Sequence, residues 1–429
     1  MRVFSILIII VLFFSSCMRT QQNQVELLYW TSNNGAEIRF ADTCVKNWNS
    51  SKQGLPVKYQ PIPEGQSSEE IILAAVVGKT TPDIYSNMWQ GSVEFYANAH
   101  VLVPLDTIPE FMDFISQRCD SLTISEITSS DGHVYQVPWK INPILTIYNK
   151  NIFAQLGLTE LPLTYSQYLI AAKKFRKDFD DDGFIDQWFG NTSVKTVWYQ
   201  KLFNFYPLYL AASGGMPLIA DNQAAFNNEY AIEVFRFLQT LYLENYFSKE
   251  RLSAGQDPFV SQKVATKFTG PWEISYLEKY KPEGFEYSYY SMIVPDGHTG
   301  PIYTYGDPKS IVVFNTCRNP AQAFAFIKTM VNEKGDLNLM EQTAQMPRRA
   351  GLDTMKIYRS FFQKNPQLQI FAKQAAYIKG VDNCEVITEV LDIISQEYEA
   401  CVLYAIKTPE QAIADAEKAV NVLLRTNKQ

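Results

Sequence analysis

Histidine is rare in this sequence, and cationic side chains are outnumbered by acidic ones. Three histidines among 429 residues argue against a multi-histidine metal site. With 38 Lys and Arg against 45 Asp and Glu, the net charge is −7, so the clustered positive surface that general nucleic-acid binding needs is not expected. Low counts of 20 Gly, 21 Pro and 6 Cys exclude collagen-like, disordered and disulfide-dense proteins. What remains is a globular chain, long enough for two or three domains, that is 46% hydrophobic and 14% aromatic.

A long apolar run occurs only at the start of the sequence. Residues 3–14 read VFSILIIIVLFF, and the letters SSC follow. The run is too short for a membrane-spanning helix and has the shape of a signal-peptide core. Small residues directly before a cysteine resemble a bacterial lipobox, although Phe14 stands where leucine is usual. The segment predicts removal of residues 1–16 and a lipidated Cys17, which would anchor an extracytoplasmic protein to a bacterial membrane, in the periplasm or at the cell surface. A plain cleaved signal and an uncleaved anchor are the alternatives.

After that cleavage, an odd number of cysteines remains beyond the lipidated one. None is spaced as CxxC, the pattern of redox and many zinc sites. We therefore expect mostly free or buried thiols, and the sequence does not decide whether any single disulfide forms. The remaining cysteines are Cys44, Cys119, Cys317, Cys384 and Cys401.

Apolar strands alternate with amphipathic helices along the chain. Residues 25–30 form a short apolar run that ends at the turn-forming residues 31–35, and a helix should follow. A second strand is expected at 55–62, followed by a helix that ends at Gly78 and a third strand that begins near residues 82–84. Strand–helix–strand units at this spacing predict an α/β fold with a largely parallel, doubly wound sheet, arranged in two lobes.

Sequence motifs for catalysis are missing. The chain contains no GxSxG, GxxxxGK[ST], GxGxxG or HExxH. His100, His133 and His298 are far apart in sequence, which favours structural roles. A carboxylate pair for glycoside hydrolysis meets only in three dimensions, so a sugar hydrolase stays open as an alternative.

One acidic segment resembles the front of a calcium-binding loop. Gly183 lies at position six of the segment, where such loops need glycine. Position twelve is Phe189, where a calcium loop needs a bidentate glutamate. The pattern predicts at most a weak structural calcium site, and a solvated acidic turn is the alternative. The acidic residues of the segment are Asp178, Asp180, Asp182 and Asp186.

Tryptophans lie beside predicted turns. Trp30 and Trp89 each follow a predicted strand, whereas Trp139 and Trp272 each follow a proline. In a doubly wound sheet, ligands bind beyond the carboxyl ends of the strands. Because sugars present flat faces of C–H groups and rims of hydroxyls, aromatic plates with Asn, Asp or Arg nearby favour a saccharide site. Core packing is the alternative for each tryptophan.

Several collinear segments together resemble a known family. They read VELLYWTSNNG, ILAAVVGKTTPDIY, GHVYQVPWKINPILTIYNKNIF, FDDDGFIDQWFG, FVSQKVATKFTGPW and MPRRAGL. Over roughly residues 25–425, the chain is similar to family 1 extracellular solute-binding proteins of the maltose-binding type, which deliver sugars to ABC importers. The resemblance implies a periplasmic-binding-protein fold with two α/β lobes, three crossing segments and a cleft that closes over ligand. The first lobe would hold residues 25–143 and 300–344, and the second 144–299 and 345–429.

The resemblance also implies a set of cleft residues and partners. Maltose-type members often carry acidic residues where this chain has Asn87 and Asn142, which leaves the identity of the sugar open. A monomer with a saccharide ligand, ABC permease subunits as partners and no required cofactor is expected. The implied ligand-binding residues are Asn33, Asn34, Asn87, Trp89, Asn142, Asn204, Trp272, Tyr305, Asp307 and Arg348.

Two other functional classes remain open at this stage. An extracytoplasmic carbohydrate-active enzyme would need a close carboxylate pair in the cleft and would turn over a glycoside. A binding protein that reports its ligand to a membrane receptor would have the same sequence features as an importer component. We expect binding without catalysis.

Overall fold

A computed structural model describes residues 26–427 of the chain, apart from 64–65, 176–177, 179–180, 184, 251 and 253–256. The predicted signal segment and Cys17 therefore lie outside the described residues. Within them, no helix is both long and apolar enough to cross a membrane.

Strands and helices alternate through most of the described chain. The strands are β1 Leu27–Ser32, β2 Val57–Ile62, β3 Ile84–Trp89, β4 Gln136–Ile141, β5 Leu145–Asn149, β6 Trp188–Asn191, β7 Ile219–Ala220, β8 Gln223–Ala224, β9 Val264–Thr269, β10 Tyr287–Tyr290, β11 Thr304–Tyr305, β12 Lys309–Val313, β13 Met346–Pro347 and β14 Ile378–Lys379. The helices are α1 Gly35–Ser51, α2 Gln66–Gly78, α3 Gln90–Asn98, α4 Phe111–Arg118, α5 Ser121–Ile127, α6 Lys150–Gln155, α7 Tyr165–Phe175, α8 Tyr206–Ser213, α9 Glu229–Leu243, α10 Trp272–Tyr280, α11 Pro320–Val331, α12 Glu333–Thr343, α13 Arg359–Lys364, α14 Pro366–Gln374, α15 Ile387–Tyr398 and α16 Pro409–Asn427.

The first α/β unit is built on a six-stranded sheet in the order β13-β4-β12-β3-β1-β2. Strand β1 pairs in parallel with β2 and β3, as the alternating pattern predicts. Strand β12 returns late in the chain and lies antiparallel between β3 and β4. The parallel strands β1 and β3 end at the same edge of the sheet, where loops can carry ligand-binding side chains.

Helix α1 illustrates why the sequence folds locally as it does. The side chain of Asn34 accepts a hydrogen bond from the Ala36 amide and caps the start of the helix. Phe40, Ala41 and Trp48 belong to its buried face, which packs into the core of the first unit. The helix is thus fixed in place at both its capped end and its apolar stripe.

The second unit is built on a four-stranded sheet in the order β10-β5-β9-β6. Strand β5 is antiparallel to both β9 and β10, while β6 is parallel to β9. The expectation of a largely parallel sheet is therefore wrong for this unit, and in the first sheet it holds only for the pairings of β1 with β2 and β3. Helices α8, α9, α15 and α16 pack beside this sheet and contribute to a large aromatic-rich core.

The chain passes between the two units after β4, after β10 and after β13. At the first two passages, the Asn142 amide donates to the Gly306 carbonyl at 2.6 Å, and the Ile144 amide donates to the Tyr305 carbonyl at 2.9 Å. The Gly306 amide donates to the Lys379 carbonyl at 2.9 Å, which ties the last segment to the same place. That the units rotate about these passages stays a prediction.

Two predicted lobe boundaries lie a few residues from where the sheets divide the chain. Strand β13, which ends at Pro347, pairs with β4 of the first sheet, whereas the predicted first lobe ends at residue 344. Strand β11 pairs with β14, and Tyr305 is buried among core residues of the second unit, whereas the predicted first lobe resumes at residue 300. Strands of two residues leave no hydrophobic pattern in the sequence, and the lobe bounds stay a prediction.

The cysteines follow the sequence-based expectation. All five in the described residues are free and buried: Cys44, Cys119, Cys317, Cys384 and Cys401. The prediction of unpaired, buried thiols is confirmed for them.

Candidate functional site

A cavity of about 580 Å³ lies between the two units, beyond the carboxyl ends of β1 and β3. Most of its lining comes from the first unit, and the second unit contributes chiefly aromatic side chains. From the first unit come Ser32, Asn34, Glu37, Pro63, Ser68, Glu69, Tyr85, Asn87, Trp89, Lys140, Asn142, Asp307, Lys309 and Gln345. From the second come Trp198, Tyr199, Leu202, Phe203 and Trp272.

A buried ion pair lies among the polar lining residues of the first unit. The Lys140 ammonium donates to the carboxylate of Glu37, and both side chains are buried. Gln345 Nε2 donates to Glu37 Oε1 at 2.7 Å, and Asn87 Nδ2 donates to Glu37 Oε2 at 3.2 Å. Three donors therefore satisfy this one buried carboxylate, and Glu37 holds both Asn87 and Gln345 at the cavity.

A second polar group lies on the side of the cavity formed by β12. Lys309 Nζ lies 3.0 Å from Asp307 Oδ1, and the Tyr305 hydroxyl donates to the same Asp307 oxygen at 3.3 Å. Burial raises the pKa of Glu69, while a hydrogen bond from Ser92 and the charge of Lys309 act in the opposite direction. Each of the acidic groups Glu37, Asp307 and Glu69 at the cavity therefore has a hydrogen-bond or ion-pair partner within the protein.

Asn142 differs from these groups in lacking a partner for its side-chain oxygen. Asn142 Oδ1 is buried at the cavity and accepts no hydrogen bond from the described part of the chain. A buried amide oxygen without a donor is costly, and a ligand hydroxyl or a water would satisfy it.

Aromatic rings meet across the cavity. Trp89 of the first unit and Trp198 of the second have ring centroids 4.9 Å apart, with their planes inclined at 39°. Trp89 also donates through Nε1 to the Tyr305 hydroxyl at 2.9 Å, so its ring is fixed on two sides. Trp272 packs edge-on against Phe203 and keeps 38% of its surface exposed. Trp272 is thus partly open to solvent, whereas Trp89 is covered.

Each of these two plates lies over a glycine. A Cβ added at Gly91 would come 2.4 Å from the Trp89 ring, and a Cβ added at Gly270 would come 2.1 Å from the Trp272 ring. Both contacts are too short for real atoms, so the absence of a side chain at each glycine sets the position of the neighbouring indole.

Substituting Gly270 with alanine is expected to displace the Trp272 indole and weaken ligand binding severalfold. The melting temperature should change little, because the ring is partly exposed and can swing outward. Calorimetric titration and thermal unfolding of Gly270→Ala measure the two effects. Unchanged affinity in the variant would contradict this role for Gly270.

Six of the ten residues suggested by the family resemblance line this cavity, and their part in binding stays a prediction. They come from β3, from the loops after β1 and β4, from the segment before β12 and from the start of α10. These six are Asn34, Asn87, Trp89, Asn142, Trp272 and Asp307.

The other four do not line it. Asn33 is exposed outside the lining. Asn204 is buried, and its side-chain oxygen accepts from the Phe205 amide at 2.7 Å. Tyr305 is fully buried and does not line the cavity, but its hydroxyl forms hydrogen bonds with two lining residues, Trp89 and Asp307. Arg348 lines a smaller, separate cavity, where it forms an ion pair with Glu126.

Sequence reasoning missed several lining residues. Glu37 lies one turn into α1, and Lys140 lies on a strand whose residues are all buried, so neither had the exposed position expected of a ligand contact. One sequence feature could have indicated Lys140: it directly follows Trp139, one of the tryptophans beside predicted turns. The aromatic residues Trp198, Tyr199 and Phe203 lie at a short 3₁₀ helix without a strand or helix pattern.

The acidic segment predicted as a calcium loop is described only in part by the structure. Asp178 Oδ2 accepts from the Gly183 amide at 2.9 Å, a contact within the turn. Asp180 lies outside the described residues. Among the residues that the structure does describe, no group of three or more His, Cys, Asp or Glu side chains is arranged to hold a metal ion. Binding of calcium by Asp178, Asp180, Asp182 and Asp186 stays a prediction.

Two α/β units with a polar and aromatic cavity between them define a two-lobed ligand-binding protein. A family model for bacterial extracellular solute-binding proteins matches residues 43–370, and the chain belongs to this family. The resemblance inferred from the sequence and the two-lobed α/β fold are thereby confirmed.

Solved structures share this fold along nearly the whole chain. An uncharacterized protein from Listeria monocytogenes EGD-e is 24% identical with a TM-score of 0.80, covering 94% of this chain and 100% of that one. The cyclic alpha-maltosyl-1,6-maltose binding protein from Arthrobacter globiformis is 22% identical with a TM-score of 0.79, covering 94% and 99%. The sugar-binding protein MalE from Xanthomonas citri is 15% identical with a TM-score of 0.77, covering 94% and 98%. A comparison with curated proteins finds no match.

Proposed function

We propose that this protein captures a saccharide between its two lobes outside the cytoplasm and delivers it to an ABC importer. The observation that carries the proposal is the composition of the cavity, in which most of the hydrogen-bonding side chains come from the first unit and aromatic rings come from both units. Amide, carboxylate and ammonium groups suit sugar hydroxyls, and an exposed indole suits the C–H face of a pyranose ring. A ligand in the cavity contacts both sets of groups only when the lobes are together, which gives binding a preference for the closed state.

Similar proteins support a saccharide over other solutes. The Arthrobacter protein is named for binding a cyclic maltosyl-maltose, and another similar structure is a cyclo/maltodextrin-binding protein in complex with maltotetraose. A third is an ABC substrate-binding protein from Listeria monocytogenes in complex with cycloalternan. These names favour an oligosaccharide as the ligand and an ABC transporter as the partner of this chain.

Reversible binding without turnover fits the carboxylates at the cavity. Glu37 is held by Lys140, Gln345 and Asn87, Asp307 is held by Lys309, and Glu69 accepts a hydrogen bond from the Ser92 hydroxyl at 2.8 Å. A glycoside hydrolase needs one carboxyl group to give up a proton and another to attack or activate water. Carboxylates engaged with ammonium and amide donors favour a binding role instead.

Isothermal titration calorimetry with a defined saccharide panel tests the proposal. The panel contains maltose to maltoheptaose, cellobiose to cellohexaose and xylobiose to xylohexaose. We expect saturable binding of at least one series at one site per chain, with the sugar recovered intact afterwards. Failure of every member to bind would contradict the saccharide proposal, and release of shorter sugars would favour the carbohydrate-active enzyme.

Lipid anchoring of Cys17 is the part of the proposal that concerns localisation. Replacing Cys17 with alanine removes the thiol that would carry the lipid, and the membrane affinity of acyl chains, about 0.8 kcal/mol per buried methylene, is lost with it. We expect the protein to move from the membrane fraction to the soluble extracytoplasmic fraction. Ser16→Ala, which keeps the cysteine, serves as the matched control and should stay with the membrane. An unchanged membrane fraction for Cys17→Ala would rule out the lipid anchor.

A further inference from the structure

Helix α10 carries an aromatic stripe that begins at the cavity and leads away from it. Trp272, Tyr276 and Tyr280 are spaced four residues apart, so they lie along one face of the helix. They are 38%, 37% and 49% exposed. Trp272 lines the cavity, whereas Tyr276 and Tyr280 lie beyond its lining. The three residues, called the α10 stripe below, therefore continue the aromatic side of the cavity onto the outer surface.

The adjacent, buried side of α10 fixes the direction of this stripe. Leu277 is fully buried in a core that includes residues of both units. Glu273 is also buried, with Lys267 Nζ 2.9 Å from its Oε2 and the Thr269 hydroxyl donating to it at 3.1 Å. Because the helix is held by an apolar contact and by charged hydrogen bonds, the stripe keeps its outward orientation without a ligand.

Spacing along the stripe matches the repeat of a sugar chain. Four residues of an α-helix advance by about 6 Å, so the α10 stripe extends over about 12 Å. This places one aromatic plate at roughly every pyranose unit of a linear oligosaccharide. The rings of Tyr276 and Tyr280 have centroids 4.8 Å apart and planes inclined at 45°.

We propose that the α10 stripe is an external subsite for long oligosaccharides, in which the units that extend beyond the cavity stack on Tyr276 and Tyr280. The inference rests on the proposed saccharide function and adds the class of ligand, a linear chain longer than the cavity holds. The α10 stripe is continuous with Trp272, and this continuity identifies the occupant. A saccharide chain that covers the exposed part of Trp272 extends from there onto the two tyrosines.

Chain-length dependence of affinity tests the subsite, with the saccharide panel as the probe. In the wild-type protein, affinity should increase with each unit beyond the length that fills the cavity. The double variant Tyr276→Ala/Tyr280→Ala should bind the shortest members like the wild type but lose the increase, by about three- to tenfold for each tyrosine. Tyr404→Ala is the matched control, since Tyr404 is 62% exposed and lies outside the cavity lining, and it should leave every affinity unchanged.

The possible outcomes distinguish failure of the subsite from failure of the proposed saccharide function. Length dependence that persists in the double variant would overturn the subsite, as would a wild-type protein that binds short and long members equally. In both cases saccharide binding itself would still stand. Absence of binding by every panel member would instead contradict the proposed function. Unfolding profiles of the variants, with Tyr280→Ala alone as the milder change, separate lost contacts from lost structure.

Discussion

Replacing Lys140 with methionine is expected to destabilise the protein by about 3–5 kcal/mol. The substitution leaves the Glu37 carboxylate buried with hydrogen bonds from Gln345 and Asn87 but without its counter-charge. Removing one partner of a buried ion pair costs more than removing both, because an isolated charge stays in a medium of low polarity. Since Glu37 also holds Asn87 and Gln345 at the cavity, saccharide affinity should fall together with stability.

Urea unfolding of a set of variants measures this effect. The double variant Glu37→Gln/Lys140→Met removes both charges and should recover much of the lost free energy of unfolding. Lys46→Met is the surface control, because its pair with Asp42 lies on the exposed side of α1 and should leave the unfolding midpoint nearly unchanged. A free energy of unfolding for Lys140→Met close to that of the wild type would show that the pair does not stabilise the fold.

Replacing Trp272 with alanine is expected to cost about 2 kcal/mol of saccharide binding free energy, which is a loss of roughly thirtyfold in affinity. Its partly exposed indole lies at the cavity, so the loss removes an anchor from the ligand and little from the core. The melting temperature should therefore change only slightly. A core residue behaves differently: Trp139, which is fully buried, should cost about 3–5 kcal/mol of stability when replaced by alanine.

Calorimetry with the tightest-binding member of the saccharide panel, together with thermal unfolding of both tryptophan variants, distinguishes the two roles. Wild-type affinity in a folded Trp272→Ala protein would remove Trp272 from the site. A variant that fails to fold would instead assign Trp272 to the core, contrary to the exposure of its ring.

The first unit was largely predictable from the sequence, because its order depends on local signals. Strand β1, the turn after it and the capped helix α1 each carry their own pattern of apolar and turn residues. Pairing between distant segments has no such local signal. The antiparallel neighbours of β5 come from β9 and β10, far along the chain, and only the folded structure brings them together.

The cavity was predictable where a side chain follows a strand or a turn. Asn34, Asn142 and Trp272 hold such positions, and all three line it. Glu37 and Lys140 are charged residues within regular elements, and their burial depends on each other across more than a hundred residues of sequence. Arg348 also follows a strand, but its guanidinium forms an ion pair with Glu126, and both residues line a separate cavity. Position after a strand therefore selects candidates, and the charges around each side chain decide where it points.

Because its five described cysteines are buried, the folded protein responds to reductants and oxidants differently from its unfolded chain. Because none of them forms a disulfide in the folded state, a reductant has no bond to break there. Burial likewise restricts the access of an oxidant to these thiols in the folded protein. If the chain is exported as proposed, wrong disulfide pairing is a hazard of its unfolded state, and burial of the thiols on folding removes that hazard.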